Sequence, residues 1–156
     1  MKFTDALDRS AEDIVRPPQL PLGHYLLQVK GPAEIESFTS KKTGDDFDRV
    51  EFALSCVEAQ DDVDPDDLEA FGPVAGQTLR RTFLFNTTDG KEADFDRSMY
   101  NFKRFLVDHL GLPEEGSMEE LMASAPGMQC LGRVGHRPDP NDPEIVYAEI
   151  DRTASA

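Results

Sequence analysis

"PLGHYLLQVKGPAEIES", residues 21–37, is extended chain with a break in its middle. Pro21 and Gly23 make a turn, "HYLLQVK" alternates in character, and "AEIES" resumes the extension after Gly31-Pro32. A glycine inside a strand pattern marks a bulge or a bend, and a proline there must sit where no ladder donor is needed. A long first strand that bends at a glycine suits a small closed barrel, in which one strand curls from one sheet into the other. The stretch therefore predicts a barrel, provided that enough strands follow.

They do. "SKKTGDD" (40–46) turns at Gly44 into "FDRVEFALSCVEA", where Val50, Phe52, Leu54 and Cys56 alternate with Arg49, Glu51, Ala53 and Ser55. An acidic loop over 58–75 leads to "QTLRRTFLFN", with Leu79, Arg81, Phe83 and Phe85 on one side and Arg80, Thr82 and Leu84 on the other. Phe95, Met99, Phe102 and Leu106 recur at helical spacing and predict a helix over 94–110, capped by Asp94 and stopped by Gly111. "SMEELMASA" is a shorter helix with Ser117 and Glu120 spaced as a capping box. "MQCLGRVGH" and "IVYAEID" are the last two strands, joined by the Pro-rich "RPDPNDPE". Three strands, a helical segment and two strands is the order of a mostly β, five-stranded OB-fold-like Greek-key barrel with its helix between strands three and four. Residues 1–20 are then an N-terminal arm holding a short helix, 21–152 the OB-fold-like domain, and 153–156 a short tail. An open β-sandwich with a helix at one end is the alternative architecture.

With 156 residues, 38% hydrophobic and 30% charged, the chain suits one domain with a core of its own. No apolar run is long enough to span a bilayer, and "MKFTDALDRSAED" is too charged for a signal peptide. Cys56 and Cys130 sit in apolar strand contexts and read as reduced core thiols, which implies a cytoplasmic protein. His24, His109 and His136 are scattered, and "DDVDPDDLE" lacks the central Gly and the twelfth-position Glu of a calcium loop, so neither metal nor cofactor is expected. Without a nucleophile–base pairing, a phosphate loop or a dinucleotide fingerprint, the chain does not read as an enzyme.

The net charge of −15 disfavours a nucleic-acid partner by its sum, but not by its distribution. There is no Lys or Arg between Arg49 and Arg80, and the cations gather in or beside strands. On an OB-fold's binding face, cations track phosphates while flat side chains stack on bases. Lys41, Lys42 and Phe47 at the first hairpin, Arg49 on the second strand, and Arg80 and Arg81 on the third occupy that face. Arg133 and Arg137 flank the last turn and Tyr147 follows it. Arg80 and Arg81 point to opposite sides, so only one of them would meet a ligand. Phe52, Phe83 and Phe85 read as core.

The run over 21–55, then "AGQTLRRTFLFN", then a helix ending "FLVDHLGL", resembles a group of small phage proteins encoded in replication and recombination modules. The likeness rests on a Pro-x-Gly-x-Tyr opening, a Lys/Gly hairpin, a glycine before a basic-aromatic third strand, and a Leu-rich helix end. It implies an OB-fold single-stranded-DNA-binding protein, sequence-tolerant, working in the host cytoplasm. One departure is the ending "EIDRTASA", which is not the acidic tail such proteins often carry. Either the acidic arm and loop recruit replication or recombination proteins in its place, or such recruitment is absent. No membrane partner is expected, and self-association is left open. The competing reading is a structural or protein-interaction module, such as a virion component, with an acidic surface.

Overall fold

A computed structural model describes residues 2–156. The opening stretch is two strands, β1 (Gly23–Val29) and β2 (Glu34–Thr39), and both lie against β3 (Asp46–Ala59). β2 pairs with the first half of β3 and β1 with its second half, end to end along one edge. The other edge of β3 carries β4 (Thr78–Asn86). β1 continues the sheet to β5 (Gln129–Pro138), and β5 to β6 (Val146–Ala154), every ladder being antiparallel. Gly31-Pro32 therefore separates two partners of one long strand, where the sequence suggested a single bent strand.

The α-helices are α1 (Pro65–Phe71), α2 (Glu92–Arg104) and α3 (Met118–Ser124), the last capped by the Ser117 hydroxyl accepting from the Glu120 amide. The result is a mixed domain of six strands and three helices built on an open sheet. Among the described residues no ladder joins β4 to β6. The expected five-stranded OB-fold barrel is thus corrected. The physical reason lies on the inner side of β4, where Arg81 stands in phase with Leu79, Phe83 and Phe85. A guanidinium aimed inward at a strand edge opposes pairing there.

One core face unites the sheet. Tyr25, Leu27 and Val29 of β1, Phe52, Leu54 and Cys56 of β3, and Cys130 and Val134 of β5 are buried together. Gly132 lies under Leu27, and a Cβ there would collide with that side chain, so β5 needs a glycine to approach β1. α2 lays Phe102 over Phe52, Phe83 and Phe85, with ring centroids 5.0–6.1 Å apart. Its chain then runs on as a π-helical turn over Phe105–His109, closed by the Leu110 amide on the Phe105 carbonyl. Phe105 and Leu106 are fully buried there, while Phe95 and Met99 pack at the core's margin.

Two further segments differ from their sequence reading. The arm contains two short 3-10 turns, Phe3–Ala6 and Ala11–Asp13, and no longer helix. Its end is strapped to β6, with Arg16 donating to the Val146 carbonyl at 3.1 Å and Gln19 accepting from the Ala148 amide at 3.3 Å. The acidic loop holds α1, started by Asp64 as N-cap and by Pro65 in the first turn. Val63 just before it is 2% exposed and sits in the core, so the segment is anchored rather than merely solvated. β6 runs through Ala154, two residues into the segment read as a tail.

Both cysteines are unpaired and buried, and burial pushes each thiol up to about 11. Ellman's reagent should therefore leave both untouched in the native state and titrate both on unfolding. Val63→Ala should cost about 1–3 kcal/mol of stability by loss of buried apolar surface. Urea melts check this, and an unchanged midpoint would mean that α1 is not held to the core.

Candidate functional site

The interior edge of β4 and the end of β6 diverge over a cleft of about 440 Å³. Its walls come from Arg81 to Leu84 on β4 and from Asp151 to Thr153 on β6, and its floor from Ser98, Asn101, Arg104 and His109. The π-helical turn positions the floor. By widening the last turn of α2, it brings His109 to β6, where its Nδ1 and the Thr153 hydroxyl are 2.7 Å apart. Thr153 is buried, so the pair ties the helix end to the sheet.

Arg81 is the unusual member. It is half-buried, and its Cζ lies 4.5 Å from the Phe83 ring centroid and 5.9 Å from that of Phe105. Its Nε is buried without a hydrogen-bond partner, and among the described residues no carboxylate pairs with the guanidinium. Burial pulls the guanidinium below its ordinary value. Arg104 stands on the floor with its Nε 3.6 Å from Asp108, and Arg152 enters no ion pair among the described residues. His109 is held below its usual 6.5 by burial first, then by Arg104 and Arg81, against a smaller opposing pull from Asp108. The cleft thus collects three arginines and an imidazole in a chain of net charge −15.

The residues singled out from sequence do not converge on one surface. Arg49 is bound to Glu36, Arg80 to Glu51 at 2.5 Å, Arg133 to Asp151 at 3.8 Å, and Arg137 to Glu149 at 3.2 Å. Lys41 and Lys42 are exposed in the β2–β3 turn. Phe47 is half-buried and stacks on Phe38 with centroids 5.6 Å apart. Tyr147 lies under Arg16 at 5.2 Å and donates to Asp139 at 3.0 Å. Phe52, Phe83 and Phe85 are buried as expected. A sheet face with stacking rings and unpaired cations is therefore absent among the described residues, and of the nine only Arg81 lines the cleft.

No known family model matches this chain, and no curated protein is similar to it. Together with the open sheet, the buried aromatics and the paired cations, this overturns the resemblance to phage OB-fold single-strand-binding proteins. The single-stranded-DNA partner, and the replication or recombination partners inferred with it, fall for the same reason. Among the described residues no helix is long and apolar enough to cross a membrane, and no group of three or more His, Cys, Asp or Glu is arranged to hold a metal. Arg104, His109, Arg152 and Thr153 were not singled out beforehand, because they meet only through the π-helical turn.

Two outcomes follow from the burial of charge. Arg81→Met should raise stability by about 1 kcal/mol, because a half-buried cation without a counter-ion is replaced by an apolar chain of similar length; a lower melting temperature would contradict this. His109 has a folded value below 6.5, so its contribution is full above about pH 6.5 and is lost as pH falls through the folded value. In His109→Gln the acid-side loss of stability should be shallower, as urea melts across pH would show; an unaltered slope would contradict it.

Proposed function

We propose that the chain is a binding protein for a small anionic group, phosphate or carboxylate, held in the β4–β6 cleft. The observation that carries this reading is the half-buried Arg81 guanidinium, which lines open volume and which no carboxylate among the described residues meets. A cation held partly out of water without a counter-ion carries a desolvation cost, and ligand oxygens accepting from its terminal nitrogens would offset it with charge-assisted hydrogen bonds. Arg104, Arg152 and His109 supply further positive charge or donors around the same space. Ser98 and Asn101 offer neutral polar groups to the remainder of the ligand.

Binding suits the cleft better than turnover. The one hydroxyl–imidazole pair in it, Thr153 with His109, uses Nδ1, and no carboxylate accepts from the other ring nitrogen to orient the ring as a base. The two buried, unpaired thiols favour a reducing compartment, which fits the cytoplasm.

Calorimetric titration with phenyl phosphate and with benzoate tests the reading. At least one should bind the wild type, and Arg81→Met should weaken that binding by about tenfold or more, as loss of a charged hydrogen-bond pair requires. Equal binding by both proteins would remove Arg81 from the site and overturn the assignment.

A further inference from the structure

We infer that the cleft selects a group with two negative charges, a phosphate monoester, and that His109 enforces the choice by taking up a proton when the ligand enters. The inference rests on the anion-binding reading above and adds the ligand's class and the pH dependence of its capture.

Charge comes first. Arg81, Arg104 and Arg152 line the cleft against one lining carboxylate, Asp151, which is itself engaged by Arg133 on β5. Arg104 is met by Asp108 and Asp151 by Arg133, so with His109 neutral Arg81 and Arg152 leave a surplus of two positive charges, which a monoester dianion balances and a carboxylate or phosphodiester leaves half unmet. The volume is also larger than a phosphate alone needs. The half-exposed Leu84 and the edge of Phe83 form an apolar wall for an attached organic group.

His109 supplies the second element. The groups around it are Arg104 and Asp108 from its own helix and turn, Arg81 from β4, and Thr153, with Asp151 and Arg152 beside it, from β6. Gln129 of β5 and Ser155 and Ala156 border its other side, and Cys130 of β5, close enough to feel the Arg81 charge, is a neutral thiol. Burial first, and then two arginines, oppose protonation, so the ring is neutral near physiological pH. A dianion seated on those arginines reverses the field at the ring. Thr153 accommodates both states. Its hydroxyl donates to Nδ1 when the ring is neutral, leaving Nε2 with its hydrogen, and accepts from Nδ1–H once a proton from solvent has been added there. The Nδ1–Thr153 bond persists, and Nε2–H is retained for a ligand oxygen.

The test uses the whole chain, phenyl phosphate, its methyl ester (methyl phenyl phosphate, a diester with one charge) and benzoate. It is run near pH 7.5, where a phosphate monoester with second pKa about 6 is already dianionic. Calorimetry in two buffers of different ionisation enthalpy should show net proton uptake with phenyl phosphate and tighter binding as pH is lowered from about 8.5 toward 7. Phenyl phosphate should bind about tenfold or more tighter than the diester or benzoate, from its second charge on the arginines and the proton taken up by the ring acting together. His109→Gln should abolish the uptake and shrink the preference. In the wild type, one of the three histidine imidazole signals should titrate at higher pH with phenyl phosphate present, a reading that needs no variant. Binding of phenyl phosphate that depends on Arg81 but brings no uptake and no shift of that signal would overturn the inference and leave the anion site standing. Failure of all three probes to bind would overturn both.

Discussion

Everything in this fold hangs on the contact between five phenylalanines. Phe52, Phe83 and Phe85 project from β3 and β4, and Phe102 and Phe105 press onto them from α2 and its π-helical extension. Tilted and edge-on ring pairs of this kind each add roughly 0.5–1.5 kcal/mol beyond the area they bury. They also set direction. With Phe102 and Phe105 three residues apart, both rings face the sheet, and the wider turn that follows rotates His109 toward β6 instead of into solvent. Arg81 then lies against two of the same rings, so its guanidinium is positioned by the cluster that makes the core.

Charge is organised with equal economy. The cations on the outer faces of β3–β4 and β5–β6 are met by carboxylates on neighbouring strands: Arg49 by Glu36, Arg80 by Glu51, Arg137 by Glu149. Such exposed pairs contribute little stability each. Their consequence is that those faces carry no field that would draw a polyanion. A chain of net charge −15 repels anions at distance, and only a local excess inside a cleft can hold one. Arg81 and Arg152, in the β4–β6 cleft, have no such carboxylate partner among the described residues.

Local patterns in the sequence carried well into the structure, and long-range ones did not. The alternation of Val50, Phe52, Leu54 and Cys56, the Phe102–Leu106 stripe and the Ser117 cap all read correctly, because each depends on residues a few positions apart. Closure does not have that property. Whether β4 meets β6 depends on residues some seventy positions apart, about Arg81 and Thr153, and no local period encodes it. Gly31-Pro32 was equally consistent with a bend in one strand and with the gap between two. In the acidic loop the charges outnumber the apolar residues that hold it, Val63 in the core and Leu68 and Phe71 of α1 packed against it. For the site, one signal was visible: a charged residue in phase with Leu79, Phe83 and Phe85. Its partners were not, since paired cations such as Arg80 and Arg49 look the same in sequence as unpaired ones.

Arg81 has two physical explanations, and their costs separate them. An inward charge on β4 would by itself discourage the open edge from pairing with another chain. That end can be reached cheaply, by an exposed lysine or a proline, with no desolvation. A half-buried guanidinium without a counter-ion carries a desolvation cost, which the contacts with Phe83 and Phe105 return in part, at roughly 0.5–2 kcal/mol. Edge protection also gives no reason for the widened turn that delivers His109, or for Arg104 and Arg152 around the same volume. A ligand that pairs with Arg81 accounts for all three features at once. On that account the open edge is the consequence, because a cleft that must admit an anion cannot also be sealed by a β4–β6 ladder.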